Sequence, residues 1–349
     1  MDLNKTIRSG NFGFGEGYPC QVVAEIGPNH NGNQERAALL ISNAAKFGCD
    51  GVKLQYRNAE AELFDRETKS YYFNKSRYAF IQEVQEFPDT IHKELRQLAS
   101  DLGLFYVLSV MSADLVDNVI DIGPDLIKVP SGEVNNPWLL EKVAVSGLPV
   151  ITSSGMSSLA EIDTMIDLLS GLTSDVILLH CTSEYPTKLK EMNLRTMQLL
   201  SERYQCAIGL SDHSRNIEFV AGSVAMGGKL IEVHFTDDKT SDGPDHHVSL
   251  ENGELQELVE LVRKWETCLG TKDKYLGPHV SEVRSTFTNS IVARKTIQPG
   301  ECLSRDNLCL KKPGTGLPAE QLTLVLKSIA IREILENTPV RLTDIKAQV

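Results

Sequence analysis

The sequence predicts a (β/α)₈ barrel of the α/β class, followed by a small β-rich domain. Over the first 270 residues, eight short apolar runs alternate with longer amphipathic stretches. Several of these stretches end in Gly, which is typical of a helix C-terminus. Near-continuous apolar strands separated by helices indicate a parallel sheet covered by helices, and eight such units in about 250 residues fit a closed barrel. A doubly wound open sheet is the alternative, although no GxGxxG follows the first strand.

The eight predicted strands follow each other at regular intervals. In chain order they are QVVAEIG, GVKLQ, FYVLSV, LIKV, PVITS, VILLHC, AIGLS and LIEVHF, beginning at residues 21, 51, 105, 126, 149, 176, 207 and 230. A polar and aromatic stretch over residues 56–88 interrupts the second unit after its strand. Loops on that side of a (β/α)₈ barrel surround the active site, so we expect this stretch to form a lid.

The composition changes after Gly270. Residues 271–288 show little periodicity and are expected to form a linker between a catalytic domain over 1–270 and a β-rich domain over 289–349. Within the last domain, the segment from Ser290 is echoed by the segment from Ser328, which predicts an internal repeat of strand, turn and strand. So small a domain holds little core of its own and is expected to pack against another surface.

Charge and cysteine content exclude several classes of protein. A net charge of −12 argues against a nucleic-acid surface. Seven Cys without a CxxC pair argue against a disulfide framework or a zinc ribbon. The first twenty residues lack the apolar core of a signal peptide, and no run approaches the length of a membrane span. We therefore expect a cytoplasmic protein that binds neither nucleic acid nor membranes.

Polar residues recur where the predicted strands end. The carboxyl ends of barrel strands converge on one mouth, so we expect these side chains to share a site. In chain order they are Glu25, Lys53, Gln55, Lys128, Ser131, Glu133, Ser153, Ser183, Tyr185, Ser211, His213, Glu232 and His234, with Asp245 on the loop after the last strand.

Two pairs within this set carry the chemical prediction. Lys53 and Lys128 lie inside apolar strands, and lysine is rarely buried without a partner, which favours contact with a phosphate or carboxylate. His213 and His234 end successive strands at the same level, which favours a metal or a shared substrate. Two imidazoles with oxygen ligands suit Mn²⁺, Fe²⁺, Co²⁺ or Zn²⁺ and leave positions open for water and substrate.

The sequence resembles the sialic acid synthase family of phosphoenolpyruvate-condensing enzymes. The matching segments run in family order along nearly the whole chain: AEIGPNHNGN, GVKLQ, IKVPSGEVNNPWLLEKVAVSGLPVITSSGM, LHCTSEYPTK, GLSDHS, EVHFTDDKTSDGPDHHVSLE and KKPGTG. The resemblance implies a (β/α)₈ barrel joined to a C-terminal SAF (antifreeze-like) domain. It also implies a homodimer in which that domain is exchanged and closes the partner's barrel mouth.

The resemblance also implies a role for each matching residue. The metal, expected to be Mn²⁺ with Mg²⁺ or Co²⁺ as alternatives, would be held by His213 and His234. Phosphoenolpyruvate would be held by Lys53, Lys128, Ser131, Ser153, Ser183 and Ser211. The acceptor sugar would lie among Glu25, Gln55, Glu133, Tyr185, Asp245 and Lys312, with Glu25 as the candidate that steers water or relays protons and Glu133 as the second. Ser183 stands where the family often has Asn, and Lys312 where it commonly has Arg.

The expected reaction joins phosphoenolpyruvate to an N-acetylated hexosamine, with N-acetylmannosamine placed first, to give the nine-carbon 2-keto acid N-acetylneuraminate and phosphate. Legionaminic and pseudaminic acid synthases share these motifs and are the first alternative. A Schiff-base aldolase with Lys128 as nucleophile is a second alternative. A non-enzymatic ice- or glycan-binding tail on a scaffold barrel is a third.

Overall fold

The computed structural model describes residues 2–69 and 75–348. The chain divides into two compact units, Met1–Gly270 and Thr271–Val349. In the first unit, eight parallel strands close into a barrel, so the fold class predicted from the sequence is confirmed. Among the residues described, none of the helices combines the length and the apolar character needed to cross a membrane.

Every barrel strand begins within one residue of its predicted start. The strands are β3 (Gln21–Glu25), β4 (Gly51–Tyr56), β5 (Phe105–Val110), β6 (Leu126–Val129), β7 (Val150–Ser153), β8 (Val176–Cys181), β9 (Ala207–Asp212) and β10 (Leu230–His234). Each strand pairs with its neighbours in chain order, and β10 pairs with β3 to close the barrel.

Helices cover the outside of the barrel. The short helices α2 (Ala59–Glu62) and α3 (Arg77–Phe80) belong to the stretch after β4 and share a small apolar cluster of their own. The helices on the outside are α1 (Gln34–Lys46), α4 (Asp89–Asp101), α5 (Val116–Ile122), α6 (Pro137–Ala144), α7 (Leu159–Leu172), α8 (Arg195–Tyr204), α9 (Ile217–Gly222) and α10 (Asn252–Leu269). Side-chain caps define several of their starts, among them Asn33 before α1 and a Ser158–Glu161 capping box on α7. Their apolar faces pack on the outward side chains of the strands to form the main core.

Alternation along the strands explains why charged residues occur inside apolar runs. Successive strand side chains point to opposite faces. In β10, Ile231 and Val233 therefore belong to the outer core, whereas Leu230, Glu232 and His234 face the barrel interior. The inward positions change along the strand from apolar at the amino end to polar at the carboxyl end, so one barrel holds both a core and a polar mouth.

A short hairpin that we did not predict packs against the amino end of the barrel. Its strands, β1 (Thr6–Ser9) and β2 (Phe12–Gly15), pair antiparallel. Ile7 and Phe14 join the inward apolar side chains, and the Phe14 ring lies edge-on at 5.1 Å from that of Phe105. Four-residue strands give too weak a pattern to recognise, so only the packing reveals them.

The stretch after β4, predicted as a lid, contains α2, α3 and a π-helical turn over Ile81–Gln85. Part of the prediction, residues 70–74, lies outside the described residues. Arg77, Phe80, Ile81 and Gln85 line the cavity at the barrel mouth. This stretch therefore contributes to the wall of the cavity, while its action as a lid stays a prediction.

The second unit contains two small antiparallel sheets. One pairs β11 (Ser290–Ala293) with β12 (Leu308–Lys311), and the other pairs β13 (Ser328–Ala330) with β14 (Ile345–Ala347). The segments from Ser290 and Ser328 thus begin equivalent sheets, as the repeat predicts, around a core of their own. A short helix, α12 (Leu322–Val325), precedes β13. The stretch expected to be a linker contains the short helix α11 (Val280–Phe287), which buries none of its residues.

Candidate active site

A cavity of about 430 Å³ opens at the carboxyl ends of the barrel strands. Twelve of the fourteen residues to which the resemblance assigns a role line it, and they come from strands on all sides of the barrel. They are Glu25, Lys53, Gln55, Lys128, Ser131, Ser153, Ser183, Tyr185, Ser211, His213, His234 and Asp245. Strand register aligns them, for example by pairing Glu25 with both Lys53 and His234.

Two ion pairs occupy the cavity floor. Lys128 Nζ lies 2.7 Å from both carboxylate oxygens of Glu232, and Lys53 Nζ lies 2.8 Å from Glu25 Oε2 and 3.6 Å from Glu232 Oε1. All four side chains are buried. Two positive and two negative charges therefore balance in the free protein, and each lysine is already ordered where an anion would enter.

Burial and ion pairing oppose each other in this network. Burial raises the pKa of Glu232, but Lys128 and Lys53 outweigh it and hold that pKa below its usual range. Burial lowers the pKa of Lys53, but Glu232 and Glu25 outweigh it and raise the pKa. For Lys128 burial prevails over Glu232, and the pKa is lowered. The ion pairs hold Glu232 and Lys53 in their charged forms.

Hydroxyl groups surround the lysines. Ser211 Oγ donates to Glu232 Oε1 at 3.1 Å, and Ser131 Oγ accepts from the Gly155 backbone N–H at 3.0 Å. Ser153 Oγ is buried and has no hydrogen-bond partner among the described residues. A buried hydroxyl without a partner is costly, so its place in the cavity lining favours a polar ligand there.

The two predicted metal ligands face each other across the same mouth. The ring centroids of His213 and His234 are 5.2 Å apart, and the Tyr185 ring lies 4.0 Å from that of His213. His213 Nδ1 lies 3.1 Å from the Thr182 carbonyl oxygen and can only donate to it, which leaves Nε2 as the nitrogen that would bind an ion. Burial lowers the pKa of His213, but Cys181 and the Thr182 carbonyl outweigh it and raise the pKa to about 9, so an ion would have to displace the proton on Nε2. Burial and the charge of His213 lower the pKa of His234 well below its usual value, so that ring is neutral.

These residues fit an ion held by two histidines. His234 Nδ1 is buried, lies 3.3 Å from Asp245 Oδ2 and is outside hydrogen-bond geometry, so it keeps an unsatisfied nitrogen. No group of three or more His, Cys, Asp or Glu side chains in the described parts of the chain is arranged to hold an ion. The protein would thus supply two imidazoles, with water and substrate completing the coordination.

Asp245 is brought to the site by a loop that is itself firmly held. Burial and the nearby Glu25 raise the pKa of Asp245 to about 6. The next residue, His246, is fully buried, and its Nδ1 lies 2.7 Å from Thr236 Oγ1.

Asp212 lies between the site residues Ser211 and His213 in the sequence but has a structural role. It accepts from the backbone N–H groups of Ser214 and Arg215 and shapes the turn.

Two predicted site residues lie outside the cavity lining. Glu133 is partly buried beside the lining residues Ser131 and Gly132, and its Oε2 accepts from Asn136 Nδ2 at 2.8 Å. Burial raises the pKa of Glu133. Lys312 belongs to the second unit, where its Nζ lies 5.7 Å from the centroid of the Phe287 ring.

Sequence reasoning missed other cavity residues. Arg57, Arg77 and Gln85 come from the stretch after β4 and line the cavity. Glu232 was recognised at a strand end but was given no role. Glu232 could have been identified because it is a charged residue inside an apolar strand, which is also the pattern that identified Lys53 and Lys128.

Comparisons with known proteins agree with this architecture. Residues 40–274 match the model of the NeuB family, and residues 288–346 match that of the SAF domain. The closed barrel with its polar mouth and the appended SAF domain define a class of barrel synthases. The chain belongs to the NeuB family, which confirms the resemblance seen in the sequence.

Characterised relatives make related sugar acids. The N,N'-diacetyllegionaminic acid synthase of Legionella pneumophila is 33% identical over 325 residues, covering 90% of this chain and 91% of that protein. The human N-acetylneuraminate-9-phosphate synthase is 33% identical over 338 residues, covering 95% and 94%. A crystal structure of N-acetylneuraminic acid synthetase from Leptospira borgpetersenii has a TM-score of 0.73 at 30% identity, covering 81% of this chain and 96% of that one.

Proposed function

We propose that this protein condenses phosphoenolpyruvate with the aldehyde of an N-acetylated amino hexose to give a nine-carbon 2-keto sugar acid and phosphate. The observation that carries the proposal is the joint placement of Lys53 and Lys128 with His213 and His234 in one cavity. Lysines that are buried and ordered before a ligand arrives suit a small, highly charged anion. The imidazoles of His213 and His234 would hold a metal ion, and such an ion would polarise the carbonyl oxygen of the second substrate.

The lysine side of the cavity suits phosphoenolpyruvate. Lys53 and Lys128 offset the phosphate and carboxylate charges, and the unpartnered Ser153 hydroxyl supplies a further donor. We assign Ser131, Ser183 and Ser211 to the same ligand. Because Glu25 and Glu232 already neutralise both lysines, the substrate must displace part of these ion pairs, which favours an anion of high charge over a neutral molecule.

The histidine side suits the acceptor. His213 and His234 would hold a divalent ion, Mn²⁺ first, which when bound would act as a Lewis acid toward the acceptor carbonyl. Tyr185 packs on His213 and Asp245 lies 3.3 Å from His234, so both reach groups next to that carbonyl. Gln55 and Asp245 have the polar atoms to bind sugar hydroxyls.

Glu25 lies between the two sides and is our candidate for moving protons. C3 of phosphoenolpyruvate attacks the aldehyde carbon, and water then adds to C2. One proton from that water reaches the new hydroxyl at the former aldehyde carbon, and the second leaves with phosphate as the C–O bond breaks. Glu25 can steer the water and relay the first proton, while Lys53 and Lys128 offset charge on the departing phosphate.

Several amino sugars could serve as the acceptor. We place N-acetylmannosamine first and the diacetamido-trideoxyhexose precursors of legionaminic and pseudaminic acids second. A Schiff-base aldolase receives less support, because both oxygens of Glu232 hold the Lys128 amine, and a nucleophilic amine must be free to attack.

The test is phosphate release from phosphoenolpyruvate with a panel of acceptors. The panel contains N-acetylmannosamine, its 6-phosphate and the two diacetamido-trideoxyhexoses, each with Mn²⁺ present. We expect release that depends on one acceptor and a product of nine carbons by mass spectrometry. Acceptor-independent turnover, borohydride trapping on Lys128, or no release with any acceptor would contradict the proposal.

We also propose a homodimer with exchanged SAF domains. The second unit exposes large apolar side chains, including Val283, Phe287 and Leu310, which favours burial against another surface. Exchange of an identical element between two copies is a low-cost route to a closed dimer. Lys312 would then act on the partner's acceptor sugar.

A further inference from the structure

Both ends of the stretch that follows β4 meet on a single oxygen atom. Gln55 Oε1 accepts from Arg57 Nη1 at 3.2 Å and from Gln85 Nε2 at 3.0 Å. Arg57 begins this stretch and Gln85 is the last residue of its π-helical turn. Arg57 and Gln85 are both buried, whereas Gln55 is partly buried at the cavity lining.

The chemistry of the donors determines the orientation of the Gln55 carboxamide. A guanidinium can only donate, so the Gln55 atom facing Arg57 must be the oxygen. The amide nitrogen therefore faces the other way, and it donates to Glu25 Oε1 at 2.8 Å. Glu25 Oε2 forms an ion pair with Lys53 at 2.8 Å but has no hydrogen bond among the described residues, so the Gln55 amide supplies the directional contact to this carboxylate.

Arg57 is itself held in place. Its guanidinium forms a bidentate ion pair with Glu62 at the end of α2, with Nη2 2.6 Å from Glu62 Oε2 and Nε 3.0 Å from Glu62 Oε1. Glu62 Oε1 also accepts from the Asn58 backbone N–H at 2.9 Å. Glu62 and Arg57 therefore lock the beginning of the stretch, and Gln85 locks its end, around the same carboxamide.

We propose that Gln85 and Arg57 are positioning residues, which hold the Gln55 carboxamide and through it orient the carboxylate of Glu25. With Arg57 and Gln85 both donating to Gln55 Oε1, that oxygen is saturated and the amide nitrogen must face Glu25. Without these two donors nothing in the described residues would fix which way the Gln55 carboxamide points. The orientation of the Glu25 carboxylate therefore depends on Arg57 and Gln85, although neither touches it.

The role for Glu25 rests on the proposed function, so the experiment has a kinetic part and a structural part. Gln85→Met preserves volume and removes the donor, and Arg57→Lys preserves the charge and removes the planar fork. The matched control is Gln82→Met, on the same π-helical turn, whose side chain is exposed and bonds Tyr78 instead. Each change is also made in a Gln55→Met background, because a residue acting through Gln55 has nothing left to act on there.

We expect Gln85→Met and Arg57→Lys to lower kcat about 10-fold to 100-fold, with little change in the KM for phosphoenolpyruvate. Gln82→Met should behave like the wild type. In the Gln55→Met background the further loss should vanish. An unchanged kcat, or a loss that persists in full without Gln55, would overturn the proposal. Thermal melting shows whether a loss of activity comes from unfolding. If Gln85→Met does not fold, Arg57→Lys provides the test of the proposal.

Crystal structures of the wild type and of Gln85→Met show directly whether Gln85 orients the Gln55 carboxamide, and they require no measurement of activity. A rotated Gln55 carboxamide that no longer donates to Glu25 supports the proposal, and an unchanged carboxamide overturns it. If the wild type releases no phosphate with any acceptor, the proposed function fails, while this structural comparison still gives its answer.

Discussion

Lys128 Nζ contacts both carboxylate oxygens of Glu232 at 2.7 Å, although the two residues are 104 positions apart in the sequence. The pair is buried within the barrel mouth, next to Lys53 and Ser211. Removing one member of a buried ion pair costs about 3–5 kcal/mol, because the other charge is left without compensation. Here Lys53, 3.6 Å from Glu232, limits that cost, so the pair can be tested by mutation.

Lys128→Met should weaken phosphoenolpyruvate binding far more than acceptor binding. A charge-assisted hydrogen bond contributes about 1.5–3 kcal/mol, so the KM for phosphoenolpyruvate should rise about 10-fold to 100-fold. Steady-state kinetics with each substrate varied in turn provide the measurement. Lys142→Met, which removes a surface ion pair with Asp117, is the matched control. An unchanged KM for phosphoenolpyruvate would remove Lys128 from the anion site.

Chelation should abolish turnover, and Mn²⁺ should restore it. His213→Ala and His234→Ala should each lose most of the activity while the protein stays folded, because each would remove one of the two proposed metal ligands. The metal content after dialysis shows whether each variant still binds the ion, and circular dichroism shows whether it is folded. Full activity of either variant, or turnover that resists chelation, would show that the facing histidines do not serve a metal.

Gly155→Ala should obstruct the anion site. A Cβ at this position would overlap Ser183 Oγ and lie 2.8 Å from Cys181 Sγ and 2.9 Å from Ser131 Oγ. We expect an increase in the KM for phosphoenolpyruvate of about tenfold, roughly the effect of losing one hydrogen bond. Gly171→Ala, with nothing within 4 Å of its added Cβ, is the control and should leave kinetics unchanged. Equal kinetics for both variants would mean that the serines there do not touch substrate.

Mixed dimers test whether Lys312 acts on the partner's site. His234→Ala and Lys312→Met homodimers should each be weak, and subunit exchange should restore part of the activity, because one of the two mixed sites is intact. Mass spectrometry of differently tagged subunits monitors the exchange. No recovery in dimers that have demonstrably exchanged would mean that Lys312 acts within its own chain or has no role.

Acid should destabilise the protein through His92. Burial lowers the pKa of His92 to about 4, even though the nearby Asp89 raises it. The folded state thus resists protonation that the unfolded chain accepts at about pH 6.5, so stability falls as the pH drops below that value. From pH 7 to pH 5 the loss is at most about 2 kcal/mol for this histidine. The melting temperature of His92→Leu should fall less steeply over that interval, and parallel curves would contradict the assignment.

Much of the barrel could be predicted because its signals are local. Each strand is a short apolar run, and each charged interruption falls where an inward side chain reaches the mouth, as at Lys53 and Lys128. The hairpin β1–β2 and helix α11 were missed for the corresponding reason: four-residue strands and an eight-residue helix are too short for their apolar patterns to stand out. Residue type alone also could not tell that His213 lines the cavity whereas the neighbouring Asp212 does not.

By itself, the sequence determined the order of the elements, the inward and outward alternation of each strand, and the set of chemical groups carried to one end of the barrel. Periodicity and residue type depend on neighbours along the chain, so they can be read without the fold. Only the tertiary structure decided the partners: Glu232 between two lysines, and Gln55 held by Arg57 and Gln85 against Glu25. Those contacts join residues from different strands and loops, and their distances exist only once the barrel has closed.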